Sequence, residues 1–205
     1  KIVSLYLTQL SKNLKISTLK RRLVSIGMVH KLKGYYLDTK HPIIVENLMG
    51  IKRVKGSIQK GKKPILISHL KSIINAIDEQ KIEDFKKFRD KSLILIGFGG
   101  GFRRTELISI DHEDLEFVQE GVKITIRKSK TDQFGEGMIK GLPYFTTETY
   151  CPIVNLKKWL EISKIKSGPI FRRFSKGLSL ANKRLSDQSV VLLMKEYLKL
   201  AGIEN

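Results

Sequence analysis

One stretch of the chain decides its fold: Gly101-Phe102-Arg103-Arg104-Thr105-Glu106-Leu107-Ile108-Ser109-Ile110. Its apolar residues recur at helical spacing after two arginines, which predicts a short helix from Arg103 to Ile110. Glu106 lies one turn after Arg103, so its carboxylate can face the guanidinium. Such a pair is also common on exposed helix surfaces, and the neighbouring sequence must decide between a site and a plain surface.

The residues before this helix form an apolar run with a cluster of glycines, Leu93 to Phe102. The run has the look of a strand that enters the glycine-rich turn of a dinucleotide site. A G-x-G-x-x-G motif starting at Gly97 requires a small residue where Phe102 lies, however, and no G-K-[ST] triplet follows for a P-loop. We therefore interpret the glycines as the end of a helix, where they allow left-handed turns and close backbone approach.

Four further helices are predicted beyond residue 66. Apolar residues at helical spacing predict two of them, over 67–79 and 85–95. Pro152 suits the first turn of a third helix, and Ser186 is a good N-cap for a fourth. The part of the chain that carries Arg103 is therefore rich in helix.

Two strands are predicted between these helices. Gly121 to Arg127 alternates β-branched and polar residues, and Gly137 to Leu142 follows as its partner. The nine residues between them, 128–136, are polar with a glycine near their end. This pattern predicts a hairpin with a basic, exposed tip.

The first third of the chain is predicted to be a small helical module. One helix is expected to end near Leu14, and Ser17 is the expected N-cap of the next. In this second helix one side is expected to pack and another to be cationic. A third helix is expected after Pro42, over Ile43 to Ile51.

Positive charge is the strongest compositional signal. The chain carries a net charge of +19 with a pI near 10.0, and residues 1–60 hold +11 of it. Few partners other than a polyanion use so much positive charge, although each cation taken alone is compatible with a solvated surface. The candidate contacts to DNA are Lys20, Arg21, Arg22, Lys52, Arg53, Lys55 and Lys128.

Several other classes of protein are disfavoured. The single cysteine cannot form an intrachain disulfide, and one thiol with four histidines does not make a structural zinc site, so we expect neither metal nor cofactor. The longest apolar run is far shorter than the roughly 20 residues of a membrane span. A cytoplasmic protein is the default expectation. The chain starts at Lys1 without a signal-peptide pattern, so we expect it to begin inside a longer protein.

The stretch around Arg103 resembles the first motif of the tyrosine recombinases, the phage integrase family, whose usual form is T-G-L-R-x-x-E-L. The similarity continues in family order over about residues 65–205, and residues 1–57 resemble most of the family's helical core-binding domain. The segments that carry it are Asp111–Asp114, Ser129-Lys130-Thr131, Gly141-Leu142-Pro143, Cys151–Leu160, Gly168–Arg172 and Leu185–Val190.

The resemblance implies a mainly α fold with a small antiparallel β-sheet (α+β). An N-terminally incomplete, SAM-like core-binding domain would occupy residues 1–57 and a basic linker 58–66. A catalytic domain, incomplete at its C-terminus, would occupy 67–205. The implied partner is double-stranded DNA, with self-association on DNA as a tetramer.

The resemblance also implies a metal-free DNA breakage and rejoining reaction through a phosphotyrosyl link. Arg103 would stabilise charge on the phosphoryl oxygens, and Glu106 would support it. Lys130 would protonate the departing 5′ oxygen, with Lys128 as the alternative because a register slip of the hairpin exchanges them.

The chain departs from the family pattern in what it lacks. None of its histidines is followed by arginine three residues later, so the H-x-x-R motif is absent. Tyr150 and Tyr197 lack the family's C-terminal context, so we assign no nucleophile. We expect this chain alone to be inactive and its intact parent to be the enzyme. The alternative is a non-catalytic DNA-binding remnant, or another basic nucleic-acid-binding protein.

Overall fold

The chain folds into two compact units, 1–62 and 63–205. A computed structural model describes residues 1–56, 61, 63–127, 137–175, 177 and 179–203. Each unit has its own hydrophobic core. The elements are helices with small antiparallel sheets, which confirms the predicted α+β class.

In its described residues, 1–56 and 61, the first unit has three helices. They are α1 (Ile2–Ser11), α2 (Ile16–Leu32) and α3 (Pro42–Lys55). Pro42 occupies the first turn of α3 as predicted, where its missing N–H leaves no donor unpaired. The core between the helices is small, and its buried members are Leu7, Leu19, Leu23, Ile44 and Ile51.

One expectation for α2 is wrong. The N-cap is Lys15 rather than Ser17, because Ile16 packs against the core and joins the helix, which leaves Ser17 inside the first turn. The predicted cations Lys20, Arg21 and Arg22 are exposed, but the solvent side of α2 also carries apolar residues. Three apolar side chains spaced one turn apart are exposed there, Val24, Met28 and Leu32.

The second unit is built around five helices. They are α4 (Ile67–Glu79), α5 (Asp84–Gly99), α6 (Arg104–Ser109), α7 (Pro152–Ser163) and α8 (Asp187–Leu200). The Ser186 side chain accepts a hydrogen bond from the backbone N–H of Ser189, which confirms the predicted cap of α8. Helix α5 extends into the glycine cluster beyond its predicted end, because the residues just before the cluster are buried in the core.

Two side chains mark the centre of this core. Trp159 is fully buried, and its indole N–H donates to the backbone oxygen of Ile170 at 2.8 Å. Cys151 is also fully buried, and its sulfur accepts a hydrogen bond from the backbone N–H of Phe145 at 3.3 Å. The helices therefore pack on a dry interior in which these polar atoms have partners.

A three-stranded antiparallel sheet lies beside the helices, with the order β1 (Leu115–Val118), β2 (Gly121–Ile126) and β3 (Met138–Pro143). Strands β2 and β3 confirm the predicted pair, with Ile124 opposite Lys140. The predicted basic tip, 128–136, lies outside the described residues.

Three short strands were not predicted. Besides β1, a two-stranded antiparallel sheet consists of β4 (Arg172–Phe174) and β5 (Leu180–Arg184). These strands are brief and mostly polar, so the alternation that marks β2 is too short to detect in them. Their pairing depends on tertiary contacts rather than on local sequence.

A buried charged group connects α5 to α8. Asp90 is fully buried, contacts Arg89 at 2.6 Å, and accepts a hydrogen bond from the Tyr197 hydroxyl at 2.8 Å. Burial raises the pKa of Asp90, and the charge of Arg89 opposes that rise. Arg89 also donates to the backbone oxygen of Arg172 and lies over the Phe174 ring. The group therefore ties two helices to β4.

Asp90→Asn is expected to lower the free energy of unfolding of the 205-residue chain by about 3 kcal/mol, because it leaves the buried Arg89 without a counter-charge. Urea denaturation followed by circular dichroism measures the change. Glu116→Gln is the matched control, since Glu116 pairs with Lys123 on the exposed surface and should change stability by less than about 0.5 kcal/mol. Equal effects of the two substitutions would contradict the argument.

Candidate active site

The glycine turn at the end of α5 leads directly into the site. Gly100 follows the last helical residue, and Gly101 has a φ of 55°, in the left-handed region. A Cβ atom on Gly100 would lie 2.1 Å from a ring carbon of Phe102, so any other residue there would force the ring to move. The apolar run before the turn is helix and not strand, which confirms its interpretation as a helix end.

Arg103 and Glu106 form a compact pair at the start of α6. Arg103 precedes the helix in extended conformation, and the Glu106 carboxylate accepts hydrogen bonds from its backbone N–H (3.0 Å) and from its Nη1 (2.6 Å). The Glu106 side chain is 3% exposed, whereas that of Arg103 is 48% exposed. The buried carboxylate therefore orients a guanidinium that an anion can reach from solvent.

The far end of α6 is held by a second arginine. Arg184, at the end of β5, donates to the backbone oxygen of Ile108 at 2.5 Å and to the carboxylate of Asp111 at 2.7 Å. A cation suits the negative end of a short helix. Arg184 therefore limits the movement of α6, the helix that Arg103 precedes.

The base of the hairpin is held to the same region. Arg127 directly follows β2, and its Nε donates to the buried Asp114 at 2.7 Å, with Asp111 at 3.5 Å from Nη1. These acidic partners raise the pKa of Arg127 further. Lys128 and Lys130, the candidate general acids, lie outside the described residues, so the structure does not place them.

Lys140 is a residue of the site that sequence reasoning missed. It lies on β3, half-buried, and its Nζ donates to the backbone oxygens of Gly100 (2.8 Å) and Gly101 (3.2 Å). The same ammonium lies 4.6 Å from the centroid of the Phe102 ring. No pattern in the sequence signals this contact, because backbone atoms of a distant turn accept the hydrogen bonds.

The predicted DNA contacts of the first unit are exposed, but not all are equally available. Lys20 and Arg21 extend from α2, and Arg22 beside them donates to the Tyr6 hydroxyl at 2.9 Å. Lys55 donates to the backbone oxygens of Lys12 and Leu14 and so holds the end of α1. Lys52 and Arg53 are also exposed, on α3.

The hydroxyl groups of Tyr150 and Tyr197 both donate hydrogen bonds to residues other than Arg103. The Tyr150 hydroxyl donates to Asn75 at 3.0 Å. Tyr197 is buried beside Asp90, and burial raises the pKa of its hydroxyl above the ordinary value. Such a phenol is a poor nucleophile.

Within the described ranges, no three His, Cys, Asp or Glu side chains come together as metal ligands would. Over the same ranges, no helix is both long enough and apolar enough to cross a bilayer.

Comparison with known proteins now decides the family. Residues 66–205, which include Arg103, Glu106 and Lys140, match the family model described as the phage integrase family. The chain belongs to the phage integrase family. An integrase/recombinase xerD homolog from Selenomonas ruminantium is 39% identical to this integrase-family chain over 202 residues. The match covers 97% of the chain and 58% of the relative, so the chain spans little more than half of that relative's length.

Solved structures share the fold. A XerH site-specific recombinase in a pre-cleavage complex with its difH substrate superposes with a TM-score of 0.50 at 18% identity, covering 95% of this chain and 55% of the other. A XerA recombinase superposes with a TM-score of 0.51 at 14% identity, covering 89% and 61%. At this identity the likeness establishes the architecture of the integrase-family chain.

Proposed function

We propose that this chain is the DNA-binding and catalytic part of a site-specific DNA recombinase that cuts and rejoins duplex DNA through a phosphotyrosyl intermediate. The observation that carries the proposal is the pair at the start of α6, in which buried Glu106 orients an accessible Arg103. A fixed guanidinium with several N–H donors suits a phosphoryl group, on which charge develops during cleavage.

In the proposed reaction a tyrosine oxygen attacks the scissile phosphorus and its proton passes to a base. A phosphotyrosyl bond forms at the 3′ side, and the bond from phosphorus to the 5′ oxygen breaks. Lys130, or Lys128 in its place, donates a proton to that departing oxygen. Rejoining reverses these steps, so the reaction requires neither metal nor an external energy source.

The tyrosine and the H-x-x-R motif belong, in this proposal, to a longer parent protein. Two facts support this: the chain contains no H-x-x-R sequence, and it spans 58% of a relative that is 39% identical to it. The activity is proposed for the parent, in the cytoplasm, where its DNA substrate would lie.

The first unit would supply affinity for DNA. Residues 1–60 hold +11 of the chain's net charge of +19. Lys20 and Arg21 extend from α2 without a partner among the side-chain contacts of the described residues. A XerH recombinase solved with its DNA substrate has the same architecture, which supports duplex DNA as the partner. Self-association on DNA, as a tetramer, belongs to the same proposal.

Binding of duplex DNA by the 205-residue chain is expected to weaken steeply with salt. If roughly five phosphates are neutralised, the log–log slope of affinity against salt should be about −4 to −5. Replacing Lys20, Arg21 and Arg22 together by Gln should reduce the slope by about two to three. Fluorescence anisotropy with a labelled duplex measures both slopes.

The control removes the same charge elsewhere in the unit, by replacing Lys12, Lys15 and Lys33 with Gln. These lysines are also exposed but are not predicted contacts. A flat salt dependence, or an equal loss in the two triple variants, would count against the assigned face of α2.

The experiment that tests the reaction is capture of a covalent adduct. The parent protein is incubated with a pool of fragments from its own genome, denatured in SDS, and the DNA that stays attached is sequenced. We expect attachment through one tyrosine at a few related sequences. We expect no adduct with the 205-residue chain, and an adduct formed by it would overturn the location proposed for the nucleophile.

A further inference from the structure

The carboxyl end of α5 depends on a lysine from another element. The Lys140 ammonium donates to the backbone oxygens of Gly100 and Gly101 at 2.8 and 3.2 Å. Both residues follow Gly99, the last residue of α5, so their carbonyls lie beyond the negative end of the helix dipole, where a cation is favoured. One cation therefore satisfies two carbonyl acceptors of the turn that follows the helix.

The turn that Lys140 contacts combines a flexible sequence with backbone hydrogen bonds to α5 on one side. It contains Gly99, Gly100 and Gly101 in succession, and glycine has more backbone freedom than any other residue. The N–H groups of Gly100, Gly101 and Phe102 donate to the backbone oxygens of Ile96 (2.9 Å), Phe98 (3.2 Å) and Gly97 (3.1 Å). Lys140 adds a charged donor from the sheet, which holds the turn through its carbonyl oxygens while α5 holds it through its N–H groups.

Arg103 follows the turn after a single residue, Phe102. The Phe102 ring packs against Gly100 on one side and lies 4.6 Å from the Lys140 ammonium. A change in the turn would therefore shift the backbone N–H of Arg103 relative to the buried Glu106 carboxylate that accepts it.

We propose that Lys140 is a positioning residue for Arg103: by holding the glycine turn it fixes the guanidinium in the geometry that acts on phosphate. Lys140 also lies on β3, the strand that follows the segment with Lys128 and Lys130. Lys140 therefore connects β3 to the glycine turn that precedes Arg103. The catalytic part of this inference rests on the proposed recombinase function, whereas the restraint of the turn does not.

A direct contact of Lys140 with DNA is the competing interpretation. The ammonium is directed at two carbonyl oxygens and an aromatic face, and the residue is half-buried. A phosphate contact would have to use the third N–H donor of the ammonium or replace one of these hydrogen bonds. The two interpretations predict different results for affinity and for rate.

The first measurement is amide hydrogen exchange on the 205-residue chain, which needs no DNA. Lys140→Ala should accelerate exchange in the peptide that covers Gly101 to Arg103 by about tenfold, with α4 and α8 unchanged. Lys140→Arg should stay near the wild type, because a guanidinium can also donate to both carbonyls. Lys123→Ala is the matched control, since that lysine lies on the neighbouring strand and pairs with Glu116. Unchanged exchange in Lys140→Ala would overturn the inference.

The second measurement is single-turnover cleavage by the parent protein at saturating DNA. Lys140→Ala should lower the rate by roughly 30-fold with affinity changed less than about twofold, because a misplaced catalytic group slows chemistry more than binding. Lys140→Arg should recover most of the rate. In an Arg103→Lys background, Lys140→Ala should add little, as expected for residues that act through one another.

The outcomes separate this inference from the proposed function. A loss of affinity with an unchanged rate makes Lys140 a phosphate contact and overturns the inference. Full additivity with Arg103→Lys also overturns it. If the wild-type parent forms no adduct, the recombinase proposal fails, and the exchange experiment alone decides whether Lys140 restrains the turn.

Discussion

Arg103→Ala in the parent protein is expected to lower the rate of strand cleavage by about 10³-fold while affinity for duplex DNA falls by less than about tenfold. One phosphate contact is a small part of a DNA interface, so binding survives its loss. The same contact stabilises charge that develops only in the transition state, so its loss lowers the rate of cleavage strongly. Accumulation of the SDS-resistant adduct gives the rate, and anisotropy gives the affinity.

The neighbouring arginine provides the control for this result. Arg104 is exposed, and Arg104→Ala removes the same charge one residue further along the chain. This substitution should leave the cleavage rate within about threefold of the wild type. Arg103→Lys should recover only part of the rate, because an ammonium cannot donate two parallel hydrogen bonds. Equal defects in Arg103→Ala and Arg104→Ala would remove the special role of Arg103.

Lys130→Ala is expected to slow cleavage of ordinary DNA by about 10²- to 10³-fold and to be rescued by a substrate with sulfur in place of the 5′ leaving oxygen. An alkoxide leaves poorly without a proton. A thiolate, whose conjugate acid has a pKa near 8.5, leaves without help. The ratio of cleavage rates on the two substrates, compared with the wild type, is the measurement.

Lys128→Ala is measured beside it. If Lys130 is the general acid, Lys128→Ala should show no rescue by sulfur and a defect mainly in affinity. Rescue of Lys128→Ala alone would exchange the two assignments. A Lys130 variant that is equally defective on both substrates would show that it does not donate the proton.

Much of the second unit could be predicted from local pattern. Helices α4 and α8 and the pair β2–β3 have apolar periodicity or β-branched alternation over enough residues to be distinctive. Arg103 and Glu106 can be proposed as site residues from the sequence because the motif that carries them is contiguous. Their mutual geometry follows from helical spacing, which brings residues three apart together.

The features that escaped prediction depend on contacts between distant residues. Nothing near Lys140 indicates that its partners are the carbonyls of Gly100 and Gly101. Helix α2 begins before its predicted cap, Ser17, because packing of Ile16 on the core decides the boundary, although Ser17 is the better cap locally. Local sequence describes local preference, and tertiary packing overrides it where the two disagree.

The buried Cys151 makes the chain convenient for spectroscopy. It is the single cysteine of the sequence and has no exposed surface, so thiol reagents should not modify the folded protein. A cysteine introduced at an exposed position such as Lys123 would then be the one thiol that a maleimide dye can reach. Fluorophores can therefore be attached to this chain one at a time, without first removing a native thiol, to follow its conformational changes on single molecules.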